Sequence, residues 1–195
     1  MSLFHISAGE NLELNFDIYA FPNGGSWKGQ YNNSQAYVAN DVVVPTVSIA
    51  SARSKGSSLA VLRANPTVSE AAYVCILGTT GNAPPNVTYW TPLTPISSAN
   101  VETVFLEFLT AGGKGLLTWL YRWGSPLNVG LLDGLLKFEL TSDNTAQLAT
   151  GTYGLELSLS LLNTEFVASG AETDLLPFPV DVIAVTAASW SSSGG

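Results

Sequence analysis

Strict alternation of apolar and polar residues near the start of the chain limits the possible folds most strongly. Between Asn11 and Tyr19, four apolar residues alternate with three polar ones: Leu12, Glu13, Leu14, Asn15, Phe16, Asp17 and Ile18. Successive side chains of a β-strand point to opposite faces, so a period of two predicts a strand with its apolar face in a core and its polar face in solvent. Proline and glycines at 21–25 predict the end of this strand.

The same kind of pattern returns along the chain and predicts an all-β fold. Residues 135–140 and 152–160 alternate, and apolar runs at 101–109, 115–122 and 179–187 predict further strands. Shorter apolar runs lie at 41–44, 59–62 and 73–77. The 18 glycines, 10 prolines and only 11% charged residues favour many short strands joined by turns.

The connections between these strands are predicted from small and polar residues. Residues 111–114 contain two glycines and predict a hairpin turn. Residues 141–148 have room for one helical turn, capped by Ser142 or Asp143. We expect 48–58 to be an exposed excursion, Pro92 to Ser98 to be a linker, and 191–195 to be a flexible tail.

Composition argues against several classes of function. A net charge of −8 with only 7 lysines and arginines disfavours nucleic acid as a partner, because phosphate binding needs clustered cations. The longest apolar stretches are interrupted by Arg122 and Glu156 and fall short of the ~20 residues that cross a bilayer, so membrane insertion is not expected. The lone cysteine, Cys75, has apolar neighbours that predict a buried strand position, and it leaves no partner for an internal disulfide.

Catalytic and metal-binding groups are scarce. His5 is the single histidine and lies near a terminus, so we expect no Ser-His-Asp or Cys-His arrangement and no multi-histidine metal site. Paired carboxylates remain, but most acids are predicted on the solvent faces of alternating strands. We therefore expect a protein that is not an enzyme and that carries no metal and no cofactor.

Two stretches resemble known families. The first comprises 27–31, 36–43, 72–76, 80–86 and 89–93, which contain aromatic residues separated by Asn, Gly and Pro. This succession is similar to the small three-stranded modules of carbohydrate-binding families 5 and 12, which recur as accessory units in phage tail proteins. It departs from that family by an insertion over roughly 45–70, beside the position of any sugar site.

The second stretch is 134–157, where a strand, a threonine-rich connector and a strand that begins with Gly151, Thr152 and Tyr153 follow one another. It resembles the immunoglobulin-like β-sandwich of phage baseplate and tail proteins. That family opens with an amphipathic strand, which residues 9–19 resemble. The two resemblances together imply a discontinuous immunoglobulin-like β-sandwich (1–22 and 98–190) interrupted by a three-stranded module (23–97).

Exposed aromatic rings are the candidate sugar-binding groups, because a flat apolar ring matches the C–H face of a pyranose. The candidates are Tyr89, Trp90 and Trp27. Tyr89 and Trp90 lie beside prolines and are the better candidates for exposure, whereas packing in the module core is the favoured interpretation for Trp27, Tyr37 and Tyr73.

A second aromatic set is Trp119, Tyr121 and Trp123, which share one face of a predicted strand. Packing inside the sandwich explains them most simply, and the alternative is a subunit interface, where aromatic residues are enriched.

The resemblances imply a virion structural protein of the tail, baseplate or fibre apparatus, an adaptor or an outward-facing component. Expected partners are other virion proteins and further copies of the chain as a homo-oligomer, and the expected location is the virion, assembled in the bacterial host cytoplasm. Two alternatives stay open: a carbohydrate-binding adhesin that recognises host surface glycan, and a capsid decoration protein.

Overall fold

Strands dominate the computed structural model, which describes residues 4–45, 51–55, 58–63, 71–109, 115–122, 129–132, 134–148, 151–161, 171–174 and 178–184. Within these residues the strands, in chain order, are β1 Phe4–Ala8, β2 Leu12–Ala20, β3 Ser26–Gln30, β4 Ala36–Tyr37, β5 Asp41–Val44, β6 Ser51–Lys55, β7 Ser58–Leu62, β8 Tyr73–Cys75, β9 Thr79–Thr80, β10 Trp90–Pro92, β11 Val101–Leu109, β12 Gly115–Arg122, β13 Val129–Leu132, β14 Leu135–Leu140, β15 Gly151–Leu161, β16 Ala171–Asp174 and β17 Phe178–Ala184. A 3₁₀ turn, Ser98–Asn100, and one short helix, α1 Ser142–Ala146, complete the described elements. The prediction of an all-β fold is confirmed.

These strands form three larger sheets and a small ribbon. The outer sheet has the order β1-β17-β15-β11-β12, with β16 also paired to β15. The central sheet has the order β13-β14-β2-β7-β6, and the module sheet has the order β10-β8-β5-β3. Strands β4 and β9 pair as a two-stranded ribbon. Most pairs are antiparallel, but β1 with β17 and β3 with β5 are parallel.

The first core lies between the outer and central sheets. Strands β2 and β14 contribute alternate residues to it, and the outer sheet contributes alternate residues of β11, as the period of two requires. Its strand residues include Leu14, Phe16, Ile18, Val104, Leu106, Phe108, Leu136, Phe138 and Leu140. The ring of Phe16 meets that of Phe138 edge to face, at a centroid distance of 5.8 Å. This core confirms the predicted apolar face of β2.

A second core fills the space between the other face of the central sheet and the module sheet. It combines Tyr19, Leu59 and Val61 of the central sheet with Val42 and Val44 of the module sheet. Strand β7 is buried along its whole length because its alternate residues enter the first and second cores.

The polar face of β2 is not in solvent, and that prediction was wrong. Asn15 and Asp17 are each only 2% exposed. Arg63, which follows β7, donates hydrogen bonds from its guanidinium group to the carboxylate of Asp17. Because a partner 46 residues away neutralises Asp17, this face of the strand can lie beside the second core.

The expected exposed excursion at 48–58 is also wrong where the structure describes it. Residues 51–55 form β6, which pairs with β7, and Ser58 is buried. Strand β7 in turn pairs with β2, from Phe16 with Leu62 to Ala20 with Ser58. Two strands from within the predicted module (23–97) therefore complete the central sheet.

The expected linker at 92–98 is packed main chain rather than a tether. Ile96 is 6% exposed, its N–H donates to the carbonyl of Ile18, and its own carbonyl accepts from Gly134. The segment thereby extends the hydrogen bonding of β2 beyond the point where β14 leaves it.

The predicted helical turn is confirmed as α1, with its cap one residue earlier than expected. Thr141 is the N-cap, and its side chain and that of Asn144 satisfy each other's backbone N–H groups in a capping box. The predicted turn at 111–114 and the tail at 191–195 lie outside the described residues.

Candidate functional site

The module sheet separates the predicted sugar-binding aromatics. Trp27 of β3 is half-buried and packs against the second core, between this sheet and the central sheet. Trp90 of β10 and Tyr89 contact a third core on the opposite face. The sheet therefore stands between Trp27 and the other two rings, so the three residues do not form one sugar platform.

Trp90 is a core residue, and its predicted exposure was wrong. The side chain is 1% exposed, and its indole Nε1 donates to the carbonyl oxygen of Asn82 at 2.7 Å. Its ring contacts Tyr31 and Tyr37 edge to face, at centroid distances of 5.9 and 5.2 Å. No face of the indole is left for a sugar ring, because the third core surrounds it.

The third core is made mainly of aromatic rings, as its few aliphatic residues predict. Tyr31 and Tyr37 stack at a centroid distance of 5.4 Å, and Tyr37 is 2% exposed. Tyr73 is half-buried and packs against the same cluster. The preference for a core role is confirmed for Tyr37, and Trp27 and Tyr73 pack at the borders of cores.

Tyr89 is the one candidate of the three that combines partial exposure with a position at the surface of the third core. Its ring packs against that core, while its main chain accepts from the N–H of Ile76 at 2.8 Å. Sequence reasoning did not show that Tyr89 and its neighbour Trp90 differ in burial, because strand β10 begins only at Trp90.

Four apolar side chains around Tyr89 are exposed and form what we call the apolar rim: Val38, Ile76, Leu77 and Val87, with exposed fractions of 63%, 51%, 54% and 82%. Hydrogen bonds hold the main-chain segments of Val38 and of Ile76 and Leu77 close together. The N–H of Asn40 donates to the carbonyl of Cys75, and Tyr37 pairs with Thr79 across the β4–β9 ribbon. Sequence reasoning missed the rim, because no periodicity marks residues in short loops.

The turn beside the rim is fixed by Asp41. Asn40 has a positive φ of 72°, and a carboxylate oxygen of Asp41 accepts from the N–H of Val38 at 2.9 Å. Lys28 lies 3.3 Å from the other carboxylate oxygen. Asp41 is 3% exposed, so its role is to hold this turn and the rim residue Val38 in place.

Cys75 occupies the buried strand position predicted for it. The thiol is 1% exposed and donates to the carbonyl of Leu77 at 3.1 Å. Burial raises the pKa of the thiol from its ordinary value of 9.0. A raised pKa lowers the thiolate fraction at neutral pH, which favours a structural role.

The second aromatic set lies on β12 as far as the structure describes it. The main chain of Trp119 pairs with Leu106 and that of Tyr121 with Val104, which confirms the predicted strand and its hairpin partner. Trp123 lies outside the described residues, so the choice between core packing and a subunit interface stays a prediction.

One pair of carboxylates faces an open depression of about 420 Å³. Glu13 and Glu139 are directly opposite on β2 and β14, and both line the depression. Glycoside hydrolysis by two carboxyls needs one that stays protonated near neutral pH. Hydrogen bonds from Asn15 and Lys137 instead lower the pKa of Glu13, so this carboxyl is ionised at neutral pH rather than held protonated for glycoside hydrolysis.

The described residues contain no group of three or more His, Cys, Asp or Glu side chains placed to hold a metal ion. No helix within the described part of the chain is both long enough and apolar enough to cross a membrane.

Comparison with protein-family models, with curated proteins and with solved structures gives no match for this chain.

Proposed function

We propose that the protein is a structural component of a tailed-bacteriophage virion, in the tail, baseplate or fibre apparatus. It acts there as an adaptor or an outward-facing binding component and performs no catalysis. Its partners are other virion proteins and further copies of this chain, and assembly takes place in the cytoplasm of the bacterial host.

The apolar rim is the observation that carries this proposal. Val38, Ile76, Leu77 and Val87 expose more than half of their surface on hydrogen-bonded loops. Such a cluster loses contact with water when a second protein covers it, and this contributes favourable free energy to association. Because Asp41 and the β4–β9 ribbon fix the loops, little conformational entropy is lost on binding.

The order of elements in the second half of the chain supports the same proposal. Strand β14, helix α1 and strand β15 follow the succession of strand, threonine-rich connector and strand that resembles phage baseplate and tail domains. The strands β14 and β15 belong to the two sheets that enclose the first core. An immunoglobulin-like sandwich fits this arrangement.

The first test is the presence of the chain in purified virions. Mass spectrometry of the particles should identify it, and an electron-microscopy map should place it in the tail, baseplate or fibre. A position on the capsid surface would instead favour a decoration protein. A chain that is absent from particles and monomeric at every concentration contradicts the proposal.

A matched pair of variants tests the rim itself. Leu77→Lys places a charge in the rim, whereas Ser34→Lys places the same charge on an exposed loop outside it. We expect Leu77→Lys to reduce incorporation into particles by about tenfold or more, since an unpaired charge in an interface costs at least about 1.4 kcal/mol. Ser34→Lys should assemble like the wild type. Equal incorporation of both variants contradicts a role for the rim.

Glycan recognition is the second candidate function, and the partial exposure of Tyr89 beside the rim favours it. We infer that Tyr89 would stack on a sugar ring, with rim residues beside it. A glycan array with the wild type and with Tyr89→Ala tests this function. Binding that Tyr89→Ala abolishes while the fold stays intact supports it, and absence of binding by the wild type removes it.

A further inference from the structure

Three polar side chains lie on one face of the central sheet, where β2 pairs with β14. Lys137 of β14 is directly opposite Asn15 of β2, and Glu13 is two residues before Asn15 on the same strand. Residues two apart on a strand share a face, and directly opposite residues have Cβ atoms about 4.5–5.5 Å apart. An amine, an amide and a carboxylate therefore meet on one patch of the sheet.

The carboxylate of Glu13 contacts both of the other groups. One oxygen, Oε1, accepts from Nδ2 of Asn15 at 2.7 Å, and the other, Oε2, lies 3.1 Å from Nζ of Lys137. Glu13 thus contacts the amide of Asn15 with one carboxylate oxygen and the amine of Lys137 with the other. Lys137 is directly opposite Asn15, and its side chain reaches the carboxylate of Glu13, two residues away on the same face of β2.

The burial of the three groups differs in a way that bears on their chemistry. Asn15 is 2% exposed, and its carbonyl oxygen Oδ1 accepts no hydrogen bond from the described residues. The side chains of Lys137 and Glu13 are 35% and 37% exposed. The amide is therefore shielded from water, whereas the amine can exchange protons with solvent, and both groups contact the same carboxylate.

We propose that Lys137 and Asn15 react with each other to form an intramolecular amide bond between β2 and β14, with Glu13 as the group that transfers protons. This is a covalent modification site of the chain, and it is independent of the role proposed for the protein in a virion.

The atoms of this step balance without any further reactant. The ammonium group of Lys137 gives a proton to the carboxylate of Glu13, and the neutral amine nitrogen attacks Cγ of Asn15. A new C–N bond forms, the bond from Cγ to Nδ2 breaks, and Glu13 returns the proton to the departing nitrogen. The products are a secondary amide that joins the two side chains and one ammonia, which leaves as ammonium after it takes up the second proton of the attacking nitrogen.

The geometry favours this reaction in two respects. Two groups held together on a rigid sheet react as if at very high concentration. Nδ2 of Asn15 also already lies 2.7 Å from Oε1 of Glu13, so the departing nitrogen is within reach of the group that returns the proton.

The charge state of Glu13 suits its part. Hydrogen bonds from Asn15 and Lys137 lower its pKa below the ordinary value of 4.5, so it is ionised at neutral pH and can accept a proton. The amine reacts only in its neutral form, so the reaction should be faster at higher pH.

The amide bond would also cross-link two strands of the chain, as a disulfide does in proteins with several cysteines. Cys75 is the single cysteine, so no disulfide joins any two strands. A bond between Asn15 and Lys137 closes a long loop, and cross-links that close long loops remove the most conformational entropy from the unfolded chain.

Mass spectrometry of the intact full-length protein tests the proposal. After incubation at pH 7 and pH 9, we expect the wild type to lose the mass of one ammonia, faster at the higher pH. Protease digestion should then yield a branched peptide that contains both Asn15 and Lys137. The peptide map is needed because a cyclic imide at Asn23, which precedes a glycine in an exposed turn, has the same mass change.

Variants separate the roles of the three groups. Glu13→Gln should lower the cross-linked fraction at early times about a hundredfold, the effect typical of a positioned acid–base group. Glu139→Gln, which removes the opposite carboxylate, should retain the cross-link, and Lys137→Arg should abolish it. Wild-type protein that keeps its full mass and gives no branched peptide at either pH overturns the proposal, and so does a Glu13→Gln variant that reacts at the wild-type rate.

Discussion

Arg63 and Asp17 form a bidentate ion pair at the boundary of the second core. Nε of Arg63 donates to one carboxylate oxygen of Asp17 at 2.9 Å, and Nη2 donates to the other. The side chains are 11% and 3% exposed. The N–H of Arg63 also donates to the carbonyl of Asn15, so side chain and main chain together hold the end of β7 against β2.

Removal of one partner of this pair should destabilise the protein strongly. We expect Arg63→Met to lower the free energy of unfolding by about 3–5 kcal/mol, because it removes the guanidinium group that pairs with the buried Asp17 carboxylate. The measurement is chemical denaturation at neutral pH. Lys137→Met is the matched control: in its pair with Glu13 the side chains of Lys137 and Glu13 are 35% and 37% exposed, so its loss should cost no more than about 1 kcal/mol. Equal losses in the two variants would contradict the role given to Arg63.

Thr145 should tie α1 to the segment between β1 and β2. The residue is fully buried, its hydroxyl donates to the carbonyl of Glu10 at 2.7 Å, and the same oxygen accepts from the N–H of Gly9 at 3.0 Å. We expect Thr145→Val to lower the free energy of unfolding by about 2 kcal/mol, because the shape is kept and both hydrogen bonds are lost. Thr145→Ser keeps the hydroxyl and should cost about 1 kcal/mol for the lost methyl group. If serine is the more harmful substitution in denaturation curves, packing rather than hydrogen bonding determines this contact.

Tyr31 should make the third core sensitive to alkali. Its hydroxyl is buried without a hydrogen-bond partner among the described residues, and burial followed by the proximity of Tyr37 raises its pKa from 10.0. The unfolded chain then ionises at a lower pH than the folded one, so stability is complete below about pH 10 and falls as the pH rises further. The buried thiol of Cys75 acts in the same direction from about pH 9.

Tyr31→Phe tests this interpretation. At pH 7 the variant should be more stable than the wild type by about 1 kcal/mol, because an unsatisfied hydroxyl has been removed. Between pH 9 and pH 11 its stability should fall less steeply, as followed by urea denaturation at each pH. A variant that is less stable at pH 7 and just as sensitive to alkali would show that the hydroxyl has a partner.

Trp90 should matter for stability rather than for direct contact with a ligand. We expect Trp90→Ala to lower the free energy of unfolding by about 3–5 kcal/mol, since it leaves a large cavity beside Tyr31 and Tyr37. Tyr89→Ala, at the surface of the same core, should cost distinctly less in the same denaturation experiment. A Trp90→Ala protein of wild-type stability would mean that the indole lies outside the core.

The strands that depend on local pattern were predictable from sequence. The alternation at 11–19, 135–140 and 152–160 predicted β2, β14 and β15 because each strand carries its own apolar face. The helical turn followed from cap-forming residues, but the cap fell on Thr141 because Asn144, three residues later, completes a capping box with it.

What sequence reasoning missed depends on partners that are distant in the chain. Residues 51–55 contain no large apolar side chain, and their strand exists because β7 offers a hydrogen-bonding edge. Asp17 has the charge of a surface residue, and its burial depends on Arg63. Sequence reasoning grouped Trp27 and Trp90 as candidate sugar-binding residues for a similar reason. The two side chains enter different cores on opposite faces of the module sheet, and this is visible only from the pairing of β3, β5, β8 and β10.

Strand β2 carries a further consequence. Its residues Leu14, Phe16 and Ile18 belong to the first core, and Tyr19 belongs to the second. Neither core can lose its contacts with this strand while the other stays intact, so heat should melt both together. We expect differential scanning calorimetry to record one peak, with equal calorimetric and van't Hoff enthalpies, although the sequence resembles two separate kinds of domain.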